Sequence, residues 1–196
     1  MMMSRGRPKE FDPDDALRAA ISAFWRDGYA GTGVAELTRA MGIGRQSLYD
    51  TFGDKRQVFI AALERYSGEQ LADFEAQLAG ADDQLAQLRE MIRAFARGEG
   101  TEHKGCMAMN ALPFFLGKDA EIEALLKRHM ARFRDRIAQV FAQAQAAGKM
   151  PDDLDPTVLA DGMMILAHGM AVHHDDVDRR ELEGAIQVAH YLMRST

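Results

Sequence analysis

Two short stripes of apolar residues with helical spacing lie close together near the N-terminus, separated by only three residues. One apolar stripe of helical period ends at Met41, and the next covers 45–52. Gly42, Ile43 and Gly44 stand between them. Gly42 can adopt the positive φ that ends a helix, and Ile43 can pack into a small core. This spacing is typical of a helix-turn-helix.

The other segments of the chain also follow the helical period, and no sustained alternation with a period of two indicates a strand. Asp54 and Gln57 predict a capping box at the start of a long fourth helix. The sequence therefore predicts an all-α fold of about nine helices, with an N-terminal three-helix head on a larger helical body. The predicted helices cover 13–28, 34–41, 45–52, 54–79, 82–97, 106–116, 119–147, 156–173 and 179–194.

The net charge of −6 argues against a nucleic-acid partner, but the charge is unevenly distributed. Residues 1–60 hold nine Lys and Arg against eight Asp and Glu, whereas the remaining residues hold 15 against 22. Residues 1–9 carry three basic side chains and no acidic one. This division predicts a basic flexible arm, a head that can approach DNA, and an acidic body with a different task.

Cys106 is the single cysteine, which excludes an internal disulfide and is typical of a reducing compartment. No apolar run approaches the roughly 20 residues of a membrane-spanning helix, and the N-terminus lacks the pattern of a secretory signal. We therefore expect a cytoplasmic protein without a membrane partner.

Three spaced runs in the head resemble TetR-family transcriptional regulators: Gly28–Val34, Met41–Gly44 and Ser47–Lys55. The resemblance covers about residues 10–60, and the body shares only its length and helical character with that family. It implies a DNA-binding domain over 10–55 and an effector-binding and dimerisation domain over 56–196. It also implies a homodimer that represses from a palindromic operator of double-stranded DNA until an effector releases it. No cofactor is expected.

The third helix supplies the residues expected to contact DNA. Arg45 and Gln46, at its N-terminus, would read guanine and adenine in the major groove. The alternative is that Arg45 is a solvated surface charge and Tyr49 a packing residue. Further contacts to the DNA backbone or to thymine methyls are predicted for Ser47, Tyr49 and Thr51.

Two further positions are predicted to contact phosphate. Lys55 would place an ammonium group at a helix N-terminus, and Thr32 matches the family position that contacts phosphate before the second helix. Gly33 and Gly44 depart from the family, which usually places hydroxyl residues there as helix caps. A glycine cap is only a few tenths of a kcal/mol worse than serine, so the fold survives but a phosphate contact is lost at each position.

The arm over residues 5–9 resembles the core of an AT-hook. Arg5 and Arg7 would lie in a narrow minor groove, where the negative potential is enhanced. The alternative is a solvated tail.

Gly162 and Gly169 lie seven residues apart, a spacing that lets two helices approach closely. Together with the last helix they could form a four-helix bundle across a two-fold axis. The alternative is that both apolar stripes face only their own core. The predicted interface comprises Gly162, Leu166, Gly169, Met170, Ile186 and Ala189.

Cys106 stands at the expected start of a helix, where the thiol pKa falls and the thiolate is favoured. Some TetR-like regulators with a Gly-Cys run at this point resemble sensors of electrophiles or oxidants, so Cys106 is a candidate redox sensor. The alternative is a buried, inert side chain. A second candidate is an apolar effector pocket, although the same residues could be plain core. Its predicted lining is Phe95, Met109, Asn110, Phe114, Phe133 and Met163.

No metal site is expected, since the histidines and aspartates over 168–178 lack zinc-ligand spacing and are typical of a solvated loop. An all-helical enzyme finds little support, because no HExxH motif, phosphate loop or Ser-His-Asp order is present. A protein-interaction adaptor without DNA affinity is the third alternative. The sequence favours a DNA-binding regulator over both.

Overall fold

The computed structural model describes residues 11–99, 105–172 and 178–194. Within those ranges the chain forms nine helices and no strand, which confirms the predicted all-α fold. The helices are α1 (Pro13–Gly31), α2 (Val34–Met41), α3 (Arg45–Phe52), α4 (Lys55–Ala79), α5 (Gln84–Arg97), α6 (Met107–Phe115), α7 (Ala120–Ala146), α8 (Pro156–Val172) and α9 (Arg179–Leu192).

The helices group into two compact units, which we call the head and the body. The boundary between them falls inside α4, between Glu64 and Arg65. Among the described residues, no helix has the length and apolar character needed to cross a membrane.

The core of the head is formed by one apolar face from each of its helices. α1 packs on α2, and α2 packs on α3. Phe24, Leu37, Leu48 and Phe59 are at most 2% exposed, and the rings of Phe24 and Phe59 meet edge to face at 5.0 Å. Because Leu48 is buried, the opposite face of α3 is directed to solvent.

The turn between α2 and α3 has the predicted conformation. Gly42 has φ 66° and ψ 25°, and the N–H of Ile43 donates to the carbonyl of Thr38 at 3.1 Å. This left-handed residue ends α2 and turns the chain into α3. The capping box of α4 is confirmed, since the Gln57 N–H donates to Asp54 (2.9 Å) and the Asp54 N–H donates to Gln57 (3.1 Å).

The body surrounds a second core. α7 packs along α8, α6 contacts both of these helices, and α5 contacts α9. Aspartate side chains cap α5, α7 and α9, and the cap of α9 is a reciprocal box of Asp178 and Glu181. The most deeply buried residues of this core include Leu78, Leu88, Val140, Phe141, Ala160, Met163, Ala189 and Met193.

Candidate nucleic-acid interface and thiol cluster

The outer face of α3 presents polar side chains to solvent. Arg45, Gln46 and Asp50 are exposed, and Tyr49 is 48% exposed although it is large and aromatic. The α3 N-terminus begins at Gly44 without a side-chain cap. Its first N–H groups can therefore bind an oxyanion, and its first residues project where base edges would lie. The contacts of Arg45, Gln46 and Tyr49 with DNA remain predictions that this exposure favours.

Asp50 is part of this surface and was missed by the sequence analysis. The Gln46 Nε2 donates to the Asp50 carboxylate at 2.8 Å. The two residues are four apart on one helix, and this spacing was the available signal. Asp50 thus orients the Gln46 amide, which keeps its carbonyl oxygen and a second N–H for a base edge.

We expect Asp50→Ala to lower sequence discrimination while raising affinity for any DNA. Loss of a negative charge strengthens phosphate binding, and a Gln46 that is no longer oriented reads its base less well. We expect the ratio of affinities for the upstream fragment and a scrambled fragment to fall about tenfold, since one good bidentate contact is worth about 1–3 kcal/mol.

The matched control is Glu36→Ala, which removes an exposed acidic side chain from α2. It should raise both affinities without changing their ratio. Fluorescence anisotropy on both fragments measures the two constants, and equal ratios in the two variants would contradict the role of Asp50.

Thr32 does not occupy the position predicted for it. Its side chain is fully buried, and its hydroxyl lies 2.7 Å from the Gly28 carbonyl oxygen and 3.3 Å from that of Ala23. Gly28 has φ 70° and ψ 167°, which interrupts α1 and directs its carbonyl toward Thr32. This arrangement does not favour the predicted phosphate contact of Thr32, because its hydroxyl donates to carbonyl groups of α1.

Lys55 lies in the first turn of α4, half-buried, with its Nζ 4.2 Å from the centre of the Tyr29 ring. Burial lowers the pKa of Lys55. The Tyr29 ring in turn packs against the Phe59 ring at 5.0 Å, so two packed aromatic rings hold the Lys55 ammonium group in place.

Ser47 and Thr51 are half-buried on α3, and their DNA contacts remain predictions. Arg5 and Arg7 lie outside the described residues.

Three of the predicted dimer residues lie in the core of their own protomer. Met170, Ile186 and Ala189 are at most 5% exposed and belong to the body core. This burial does not favour their predicted place in a dimer interface, because these residues lie on the inner face of each helix. Gly162 and Leu166 are half-buried, and Gly169 is exposed.

The opposite face of the same two helices carries apolar residues in solvent. Ile165 is 73% exposed, Tyr191 64%, Val158 58% and Val188 50%. On α8 the stripe reads Val158, Gly162, Ile165, Gly169, which has helical spacing that the sequence analysis missed. We call these exposed residues of α8 and α9 the outer face.

A cluster of three reactive side chains lies inside the body. The Tyr66 hydroxyl donates to the Cys106 Sγ at 3.3 Å, and His129 Nε2 lies 4.0 Å from the same sulfur. Cys106 is 7% exposed, His129 5% and Tyr66 3%. These residues come from α4, α7 and the position just before α6. Tyr66 and His129 were missed because nothing in their local sequence distinguishes them from core positions.

The predicted lowering of the thiol pKa is wrong. Burial raises the pKa of Cys106, although the Tyr66 hydrogen bond and the N–H groups of Met109 and Ala108 act in the opposite direction. Burial also lowers the pKa of His129 to about 4. At neutral pH the cluster therefore holds a protonated thiol beside a neutral imidazole.

The predicted effector pocket is not assembled as expected. Asn110 and Phe114 are exposed, with Lys118 over the Phe114 ring, and their place in an effector pocket remains a prediction. Met109 and Met163 are buried, whereas Phe95 is half-buried against the body core. Phe133 lies against the thiol cluster, with its ring centre 4.9 Å from that of His129, and the Met109 N–H contacts Cys106.

The described residues contain no group of three potential metal ligands. His173, His174, Asp175 and Asp176 lie outside the described residues. His168 lies on α8, and Asp178 caps α9.

Comparison with known proteins gives matches to both units. Residues 16–62 match the family described as bacterial regulatory proteins, tetR family, and residues 81–188 match the tetracyclin repressor-like C-terminal domain. The HTH-type transcriptional repressor ComR of Escherichia coli (strain K12) is 32% identical over 194 residues, which cover 97% of this chain and 91% of ComR. The HTH-type regulator YezE of Bacillus subtilis (strain 168) is 30% identical over 79% of this chain and 81% of its own.

Solved structures give the same result. A cysteine mutant of the TetR-family regulator CifR, in complex with 26-bp double-strand operator DNA, matches with a TM-score of 0.78 and 29% identity. The match covers 94% of this chain and 97% of that one. The reduced form of Escherichia coli NemR matches with a TM-score of 0.81 at 14% identity, over 93% and 96% of the two chains, which shows a shared fold.

Proposed function

Since the chain belongs to the tetR family of bacterial regulatory proteins, we propose that it is a homodimeric repressor released from a palindromic operator by an effector that acts at Cys106. Its role as a DNA-binding transcriptional regulator, not an enzyme, follows from the family. The dimer, the operator symmetry, the cytoplasmic location and the effector are our proposal. The observation that carries it is the buried thiol cluster in the body.

The exposed face of α3 supports direct readout of DNA. Arg45 and Gln46 lie in its first turn, and the buried Leu48 fixes the helix on the head. Two heads related by a two-fold axis would bind half-sites about one helical turn apart, which is why the operator should be palindromic.

The outer face supports the dimer. Large apolar side chains exposed on one contiguous surface usually mark an interaction site. Gly162 and Gly169 lie on the same face, and a Cβ built on either would meet nothing within 4 Å in its own chain. Their small size is therefore not needed within the protomer, and the close approach of a second copy explains it.

The thiol cluster supports an effector that modifies or contacts Cys106. Buried polar groups are costly unless satisfied, and perturbed pKa values concentrate at functional sites. The start of α6 is also tightly packed, because a Cβ on Gly105 would lie 2.8 Å from the Ala171 carbonyl oxygen. Cys106 itself is only 7% exposed and packs against Tyr66 and His129, so an adduct on its sulfur requires a surrounding helix to move. Tyr66 belongs to α4, a single helix that begins at Lys55.

A mobility shift with the DNA upstream of the protein's own gene tests the regulator. We expect a specific complex that weakens as salt rises, with a modest slope, since the head carries few cations.

Arg45→Ala should weaken binding to that DNA by about 1–3 kcal/mol, the typical contribution of one bidentate base contact. Arg93→Ala, a half-buried arginine of the body paired with Glu90, is the control and should bind as wild type. Equal binding by Arg45→Ala and wild type would remove Arg45 from the interface, and binding to no fragment would favour an adaptor.

A further inference from the structure

Two side chains of different chemistry lie next to the Cys106 sulfur. A hydroxyl donor lies on one side of the sulfur, at 3.3 Å, and a histidine nitrogen lies on another, at 4.0 Å. A hydroxyl that donates to sulfur favours the thiolate, whereas an unprotonated imidazole nitrogen can receive the thiol proton. The hydroxyl can therefore stabilise the thiolate, and the imidazole can accept the proton that the thiol loses.

We propose that His129 accepts the thiol proton when Cys106 attacks a neutral unsaturated carbonyl compound, and that Tyr66 stabilises the negative charge that develops on the sulfur. The choice of Cys106 as the sensor rests on the proposed function. The chemistry itself can be measured on the protein without DNA.

The reaction is a conjugate addition and needs no oxidant. Sγ bonds to the β-carbon of the acceptor, the carbon–carbon π bond breaks, and its electron pair moves to the carbonyl oxygen as an enolate. The thiol proton passes to His129 Nε2 and is then returned to the α-carbon. The product is a thioether, and His129 ends neutral as it began.

The resting protonation state suits this reaction. Burial keeps the thiol protonated and the imidazole neutral. The low pKa of His129 describes a histidine beside an uncharged thiol, and Arg132, on the same helix, also lowers it. As negative charge grows on the sulfur, that charge raises the pKa of His129 and favours the proton transfer. Among the described residues, the titratable side chains of Tyr66 and Cys106 lie next to His129, and the charge of Arg132 acts on it.

The surroundings select a neutral, flat reactant. A row of aromatic rings extends from the sulfur, with centroid distances of 5.9 Å from Tyr66 to His129, 4.9 Å from His129 to Phe133, and 5.0 Å from Phe133 to Phe74. An ion would lose its hydration in such a site at a high cost, whereas a maleimide or quinone ring would stack. The effector class that this site favours is therefore an uncharged unsaturated carbonyl compound.

The pH dependence of labelling by N-ethylmaleimide tests the role of His129. Cys106 is the only cysteine of the chain, so intact-mass spectrometry reports this site alone. Transfer of the proton from the thiol to the imidazole leaves the number of protons on the pair unchanged. The wild-type labelling rate should therefore be nearly independent of pH from about 6 to 8. In His129→Phe the thiol must ionise to solvent, and the rate should rise about tenfold per pH unit.

At pH 7 we expect His129→Phe to react about 100-fold more slowly, a typical contribution of a positioned base. Tyr66→Phe should lower the rate about tenfold without changing the slope, as expected for one hydrogen bond to a charged group. His129→Gln gives a second test, since an amide accepts a hydrogen bond but not the proton. His168→Gln, on α8, is the matched control and should behave as wild type.

A wild-type rate that rises about tenfold per pH unit, as for the urea-unfolded chain, would overturn the proposal even if both His129 variants failed to fold. A pH-independent rate in folded His129→Phe would also overturn it. These outcomes are distinct from failure of the proposed function, in which labelling shows the expected slopes but the modified protein still binds its operator.

Discussion

Ile165→Glu is expected to convert the protein into a monomer that no longer binds its operator tightly. Ile165 is the most exposed large apolar residue of the outer face, at 73%. In a protomer it faces water, so a carboxylate there leaves the fold intact. Between two copies the same carboxylate would be buried without a partner, at a cost of about 3–5 kcal/mol. The dimer dissociation constant should therefore rise at least about 100-fold, since about 1.4 kcal/mol is a factor of ten and each protomer contributes one carboxylate.

The affinity for the operator should decrease when the dimer dissociates. One head alone loses the avidity of two linked heads, which is worth about 10²–10⁴ in affinity. Light scattering coupled to size exclusion measures the mass, and anisotropy measures binding to the operator fragment. The matched control is Leu116→Glu, since Leu116 is 55% exposed at the end of α6 and is not one of the residues of α8 and α9 that form the outer face. A second variant, Gly162→Leu, adds bulk where the protomer has space. A dimer that persists in both outer-face variants would contradict this interface.

The helices of this protein could be predicted well from sequence because their signals are local. The capping box of Asp54 and Gln57 and the left-handed turn at Gly42 depend on residues within a few positions of each other. Local hydrogen bonds and φ preferences fix such features whatever the rest of the chain does.

The direction of each helix face was harder to predict. Ile186 and Ile165 both lie on apolar stripes of helical period, yet one is 4% exposed and the other 73%. A helix that is apolar on two sides does not reveal which side its own core covers. The sequence therefore led to an interface prediction that includes buried residues, whereas the interface that we propose lies on the exposed face of the same two helices.

The thiol cluster could not be predicted because it is assembled from distant parts of the chain. Tyr66 and Cys106 are 40 residues apart, and His129 is a further 23 residues along. Sequence analysis placed Cys106 at a helix start and inferred an acidic thiol. The sequence alone does not show that Cys106 is buried, and burial raises the thiol pKa by more than the hydrogen bonds lower it.

Cys106→Ser is expected to bind the operator as wild type does and to ignore thiol reagents. Serine is smaller than cysteine and can still receive the hydrogen bond from Tyr66, so the start of α6 should keep its structure. N-ethylmaleimide should release wild type from the operator and leave Cys106→Ser bound. The physical reason is volume, because Cys106 is only 7% exposed and packs against Tyr66 and His129, so an adduct on its sulfur requires a helix to move.

The size of the effect follows from the cost of overpacking. Forcing extra atoms into a packed core costs about 1–3 kcal/mol, and the modified protein recovers that energy by adopting a conformation that does not bind the operator. Operator affinity should therefore fall about tenfold to 100-fold on modification, since about 1.4 kcal/mol is a factor of ten. Anisotropy with stoichiometric N-ethylmaleimide measures the release, and intact mass confirms one adduct per chain.

Cys106→Ala serves as the control for the loss of the Tyr66 hydrogen bond, and it too should stay bound. Equal release of wild type and Cys106→Ser by the reagent would show that the signal arises elsewhere, because neither variant offers another thiol. Fully labelled wild type that still binds tightly would show that the body accommodates the adduct without changing the head. In that case the cluster would be a reactive site without control over DNA binding, and an effector that binds without a covalent bond would become the better explanation of release.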